Sequence, residues 1–134
     1  MGTWGIGHFE NDSALDFCAE LQDGSMKVEE MIFRVADAPE YLDSDEEVMA
    51  LAAAAMVAHK LDPAVKVDPE YKSWIEANVK VTPQLAAAAL KCVDKITHPE
   101  SELYMLWDGS DKVETQSWLV ECQNLKDVLQ KGVA

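Results

Sequence analysis

One segment, residues 48–58, contains only apolar residues and constrains the fold more than any other part of the chain. Asp45, Glu46 and Glu47 precede it, in what would be a first helical turn, where the helix dipole favours anions. A helix that has no polar face must be covered by other elements on every side. The segment is too short to cross a bilayer. We therefore predict a helix over about 44–60 at the centre of a bundle.

Capping residues, prolines and apolar residues at helical spacing indicate helices in most of the remaining chain. The predicted ranges are about 12–23, 26–36, 69–78, 83–97, 100–108 and 112–131. Asp68-Pro69 and Thr82-Pro83 each predict a helix start, with an N-cap followed by proline at the first helical position. We predict an all-α, single-domain compact bundle of about six or seven helices over residues 1–134, with residues 1–11 as a glycine-rich N-terminal arm.

The most conspicuous local motif is Gly5-Ile6-Gly7 in the N-terminal arm. It does not match a dinucleotide-binding loop, because Glu10 stands where that loop needs its third glycine and no strand precedes it. Two glycines allow a tight bend, so that aromatic residues on either side can pack on the bundle before the first helix is capped. We predict a structural role for the motif residues, which are Trp4, Gly5, Gly7, Phe9, Asn11 and Asp12.

The charge balance is strongly acidic, with 25 Asp and Glu against 11 Lys and Arg and a formal net charge of -14. Such a surface repels the phosphates of nucleic acids and anionic lipids, so neither class is expected as a partner. No Lys or Arg lies between Arg34 and Lys60. The acids proposed to hold a basic protein partner are Asp37, Glu40, Asp43, Asp45, Glu46 and Glu47. The alternative is an ordinary solvated face.

Catalytic and metal-binding motifs are absent from the sequence. The chain contains no His-Glu-x-x-His, no Glu-x-x-His pair of the helical di-iron type and no Gly-x-Ser-x-Gly. We expect no cofactor. If carboxylates nevertheless converge on a metal, the weak candidates are Asp12, Asp16 and Glu102, which lie in the motif segments.

The three cysteines, Cys18, Cys92 and Cys122, form no Cys-x-x-Cys pair, and each lies within a helical apolar pattern. This pattern is typical of buried free thiols in a reducing compartment. Gly, His and Glu interrupt the N-terminal stretch, so we see no signal peptide. The sequence thus predicts a cytoplasmic protein.

The N-terminal motif resembles the opening of an uncharacterised bacterial family that is catalogued as a domain of unknown function. That family opens with Trp-Gly-x-Gly-x-Phe, an acidic residue, Asn-Asp and Ala-x-Asp-Phe/Trp. The matching positions are Trp4, Gly5, Gly7, Phe9, Glu10, Asn11, Asp12, Ala14, Asp16 and Phe17. The resemblance implies an all-helical bacterial protein of this length and brings no activity, cofactor or catalytic residue with it.

Two later stretches are also similar to that family. Residues 50–59 match its alanine-rich helix, although Ala55 stands where the family often has glutamate. Residues 101–107 resemble its Ser-Glu-Leu-x-x-Leu-Trp, and we predict that Leu103, Leu106 and Trp107 turn inward there.

Two functions are compatible with the sequence. The favoured one is a small acidic binding protein without catalytic activity, for example an immunity-like protein that blocks a basic toxin. The alternative is a metal-dependent or hydrolytic enzyme whose carboxylates converge only in the fold. Monomer and homodimer both remain open, because no sustained heptad pattern supports dimerisation.

Overall fold

The computed structural model describes residues 8–9, 11–40, 43–109 and 112–133. The helices in these ranges are α1 (Asp12–Asp23), α2 (Val28–Asp37), α3 (Ser44–Leu61), α4 (Lys72–Asn78), α5 (Pro83–Ile96), α6 (Glu102–Asp108) and α7 (Lys112–Val133). The predicted all-α bundle is confirmed. Most of the predicted N-terminal arm, including Trp4, Gly5 and Gly7, lies outside the described residues.

Helix α3 is the centre of the bundle, as its apolar sequence predicts. Each residue from Ala50 to His59 is at most 3% exposed. Helix α3 contacts each of the other six described helices. A run of alanines makes this possible because the short side chains allow the backbones of several neighbours to come close at once.

Side-chain caps are present at the starts of α1, α3 and α5, and those at Asn11 and Thr82 were predicted. The Asn11 side chain accepts a hydrogen bond from Ala14 N at 2.8 Å, and Gly24 ends α1 with a φ of 86°. The Asp43 carboxylate accepts from Glu46 N at 2.9 Å at the start of α3. At the start of α5, the Thr82 hydroxyl accepts from Leu85 N at 3.1 Å. These bonds satisfy backbone amides that have no partner within the first turn of a helix.

The predicted start of α4 at Pro69 is wrong, because the helix begins at Lys72. Asp68 does not act as an N-cap. Its carboxylate accepts from Glu70 N at 2.9 Å and its carbonyl accepts from Tyr71 N at 3.0 Å, which closes a turn. Asp-Pro favours such a side-chain-stabilised turn as well as a helix start, and the sequence alone does not distinguish the two.

None of the described helices is long and apolar enough to cross a membrane.

Candidate functional site

The predicted acidic residues lie where α2 ends and α3 begins. We call the exposed carboxylates of Asp37, Glu40, Asp43 and Asp45 the acidic corner. Glu46, also predicted to belong here, is half-buried and forms a salt bridge with Arg34 at 2.7 Å.

The nearby cations neutralise the acidic corner only in part. Lys91 Nζ lies 4.0 Å from the Asp37 carboxylate, and both side chains are more than half exposed, so this pair contributes little. Lys95 points inward instead. Its ammonium donates to the carbonyls of Val35, Ala38 and Glu40 at 3.1, 2.7 and 3.0 Å. Lys95 therefore closes the end of α2, where backbone carbonyls lack helical partners.

The prediction that Glu47 belongs to an exposed acidic surface is wrong, because Glu47 is 0% exposed. Asp45, Glu46 and Glu47 are consecutive, so the turn of the helix directs them to different sides. The structure leaves Asp45 exposed and Glu46 half-buried, and it places Glu47 on the side covered by α6.

Glu47 joins the starts of two helices. Its Oε1 accepts a hydrogen bond from Leu103 N, in the first turn of α6, at 2.9 Å. In return, Oε1 of Glu102 accepts from Ser44 N, the first residue of α3, at 3.1 Å. The carboxyls of Glu47 and Glu102 thus connect α3 with α6. Among the described residues, the buried Oε2 of Glu47 has no hydrogen-bond partner.

The surroundings of Glu47 favour its neutral form. The pKa of the Glu47 carboxyl is raised to about 7, mainly by burial. The charges of Glu102 and Asp43 act in the same direction, and the Leu103 N–H bond and the Lys95 ammonium oppose them. Desolvation dominates because an ionised carboxylate loses far more hydration on burial than a neutral acid does.

Residues 101–107 comprise the N-cap and most of the short helix α6. Hydrogen bonds and a ring contact attach this helix to the bundle. Ser101 is fully buried, accepts from Tyr104 N at 3.0 Å and donates its hydroxyl hydrogen bond to the Ile96 carbonyl. The ring of Trp107 stacks on Trp118 of α7 with centroids 6.0 Å apart. Both ends of α6 are thereby held against the bundle.

The outer face of α6 is partly apolar. Met105 is 55% exposed and Leu106 is 41% exposed. The prediction that Leu106 turns inward is therefore wrong. Helix α6 has only seven residues and buries mainly Leu103, so its other side remains in solvent. We call Met105 and Leu106 the α6 strip.

The described part of the N-terminal segment includes three of the predicted motif residues, Phe9, Asn11 and Asp12. Phe9 is 9% exposed. Asn11, besides capping α1, donates from its side chain to the His8 carbonyl at 3.5 Å. Asp12 and Asp16 are exposed on α1.

Comparison with known protein families adds one assignment. The family described as Domain of unknown function (DUF4259) matches residues 2–120. The chain belongs to the DUF4259 family. The match extends from the N-terminal motif through α6 and into α7, so it includes both Glu47 and Glu102. No curated protein and no solved structure matches the chain. The expected uncharacterised family is confirmed, and the bacterial origin stays a prediction.

The described part of this DUF4259 chain contains no group of three or more His, Cys, Asp or Glu residues that could hold a metal ion. The weak metal candidates Asp12, Asp16 and Glu102 therefore form no such group. The Glu102 carboxylate is hydrogen-bonded to Ser44 N instead.

The cysteines of the DUF4259 chain are buried and free, as predicted. Burial raises the pKa of Cys18, Cys92 and Cys122 to about 12. The thiolate is the nucleophilic form of cysteine, so the folded protein disfavours nucleophilic chemistry at all three positions.

Sequence reasoning gave no role to His59, which is 3% exposed near the end of α3. Its Nδ1 lies 2.9 Å from the Val65 carbonyl and its Nε2 lies 3.2 Å from Oε2 of Glu76. His59 thereby holds both the loop after α3 and the helix α4. A histidine inside an apolar helix could have indicated a satisfied core polar group.

Proposed function

We propose that this DUF4259 protein is a binding protein that holds a basic segment of another protein across the α6 strip and the neighbouring carboxylates. The observation behind this proposal is that the exposed apolar side chains of α6 stand beside exposed acids. An acidic surface alone is typical of many soluble proteins, whereas an apolar strip bordered by carboxylates matches a partner that is both apolar and basic.

Helix geometry supports this arrangement. Met105 and Leu106 follow Glu102 by three and four residues, so the three side chains are neighbours on one helix face. Asp108 follows Met105 by three residues, which places a second exposed carboxylate beside the strip. The bond of 3.1 Å between Glu102 Oε1 and Ser44 N brings this face to the start of α3 and the acidic corner.

The two parts of the surface would contribute differently to binding. The net charge of -14 attracts a basic partner at long range and raises its association rate at low salt. Burial of the α6 strip would add a salt-independent contribution of up to roughly 1.5–3 kcal/mol for each side chain that becomes fully covered. A basic toxin held by an immunity-like protein is one partner of this chemistry.

The proposal can be tested with a fluorescein-labelled amphipathic helical peptide of leucine and lysine, whose binding is followed by fluorescence anisotropy. The double variants are Met105→Gln/Leu106→Gln, which removes the strip, and Asp43→Asn/Asp45→Asn, which removes two acids of the corner. Asn remains a good N-cap, so the second variant should keep the start of α3 intact. We expect each variant to weaken binding about tenfold, or about 1.4 kcal/mol.

Two matched controls separate a specific surface from general acidity. Val113→Gln/Val120→Gln removes exposed apolar side chains of α7, and Glu29→Gln/Glu30→Gln removes two exposed acids at the opposite end of α2. Both controls should bind the peptide as the wild type does. Equal weakening in the controls, or equal binding of a peptide with glutamate in place of lysine, would contradict the proposal.

A further inference from the structure

Packing alone does not explain the position of Glu47. It is fully buried, it contributes one oxygen to the start of α6, and its other oxygen has no hydrogen-bond partner among the described residues. A buried polar atom without a partner costs free energy, and the cost is far greater when the group is ionised.

The charges that act on Glu47 come from three elements. Glu102 acts from α6, Asp43 precedes α3 and Lys95 acts from α5. Two carboxylates thus oppose one ammonium, and that ammonium is also engaged by the carbonyls at the end of α2. Among the residues that the structure describes, no cation forms with Glu47 the salt bridge that a stable buried carboxylate requires.

We infer that Glu47 is a proton-controlled latch, which holds the start of α6 on α3 when its carboxyl is neutral and weakens this contact when the carboxyl ionises. The neutral acid can still accept the Leu103 N–H bond through its carbonyl oxygen. The ionised form gains a stronger bond there, but it leaves a charged, unpartnered oxygen in the interior and faces Glu102. In this proposal, that oxygen becomes hydrated when the contact between α3 and α6 opens.

The raised pKa of Glu47 determines how pH changes the stability of the contact between α3 and α6. Burial raises the pKa of Glu47 from 4.5 to about 7. A group with a raised pKa in the folded protein stabilises it fully below the unfolded pKa and loses this contribution as pH rises through the folded pKa. The stabilisation by the latch is therefore fully present below about pH 4.5 and is lost as pH rises through about 7.

Opening of the latch would also affect the α6 strip, because Met105 and Leu106 belong to the helix that Glu47 holds. Only this consequence rests on the proposed binding function. The latch itself depends on Glu47 and its contacts, so the two proposals can fail separately.

The test combines two measurements on the full chain. The first follows the Glu47 carboxyl carbon by NMR between pH 4 and pH 9, and we expect its midpoint near pH 7. The second measures hydrogen exchange of the Leu103 amide, corrected for the intrinsic rate. Its protection should fall about tenfold or more from pH 5.5 to pH 8.5.

Glu47→Gln supplies the matched variant, because it keeps an accepting oxygen for Leu103 N and cannot ionise. Leu103 protection should not fall with pH in this variant. Glu30→Gln, which removes one exposed acid from α2, should retain the wild-type dependence. A Glu47 midpoint below pH 5, or a fall of protection that persists in Glu47→Gln, would overturn the latch. The NMR titration of the wild type decides the question even if Glu47→Gln does not fold.

Discussion

Glu47 and Glu102 each accept a hydrogen bond from the first turn of the helix to which the other belongs. Glu47 of α3 accepts from Leu103 N of α6 at 2.9 Å, and Glu102 of α6 accepts from Ser44 N of α3 at 3.1 Å. Both carboxyls lie at helix starts, where the dipole favours negative charge. They differ in environment, since Glu47 is buried and Glu102 is exposed. Several expected outcomes depend on this difference.

Glu47→Gln should stabilise the protein at high pH. The wild type loses stability as Glu47 ionises, by up to about 3 kcal/mol for a pKa that rises from 4.5 to about 7. At pH 8 the variant should therefore have the greater free energy of unfolding in urea, while at pH 5 the two proteins should be nearly equal. Glu47→Ala should lose stability at both pH values, because it leaves a cavity and an unpaired Leu103 amide. A Glu47→Gln protein that is less stable than the wild type at pH 8 would contradict this account.

Glu102→Gln should lower the pKa of Glu47, because the charge of Glu102 is one of the causes that raise it. Gln still offers an oxygen to Ser44 N, so the start of α3 should remain capped. The midpoint of the Glu47 carboxyl, followed by NMR, should move to lower pH than in the wild type. Asp108→Asn removes an exposed acid from the other end of α6 and serves as the control. Equal shifts in the two variants would show that general charge, and not Glu102, sets the pKa.

Lys95→Met should destabilise the protein by about 2–3 kcal/mol, since hydrogen bonds from charged donors are among the stronger ones. The variant keeps most of the aliphatic chain but leaves the carbonyls of Val35, Ala38 and Glu40 without the Nζ donor. Lys91→Met removes a lysine from the same helix whose exposed ion pair spans 4.0 Å, and it should cost less than about 1 kcal/mol. Urea unfolding of both variants measures the difference. Equal losses would show that Lys95 is not a specific cap.

The thiols should be inert in the folded protein. Cys18, Cys92 and Cys122 are buried and their pKa is raised to about 12. An aromatic disulfide reagent at pH 8 should therefore release almost no chromophore from the native protein and should react with all three thiols in denaturant. Rapid reaction of one thiol under native conditions would identify a local opening that this structure does not show.

Much of the architecture follows from local chemistry. The apolar segment 48–58 predicted the central helix because a helix without a polar face can only lie in an interior. Asn11 and Thr82 marked helix starts because their side chains bond to amides only three residues away. The prediction that Asp68 caps a helix was wrong for a related reason. Its side chain also bonds to a nearby amide, but that bond closes a turn.

The contacts within the candidate site could not be predicted from local sequence. Lys95 and the end of α2 are more than 50 residues apart in the chain, and nothing in the local sequence distinguishes Lys95 from the exposed Lys91. Leu106 had the spacing of an inward residue. It is exposed because α6 is short and only one of its sides meets the bundle.

The sequence by itself determined that three consecutive acids open the central helix, because the dipole accepts negative charge there whichever way the side chains point. Only the tertiary structure decided that Asp45 stays in water while Glu47 is buried against α6. That choice depends on where α6 docks, 56 residues further along the chain. Burial, rather than residue type, raises the pKa of one of these acids to about 7.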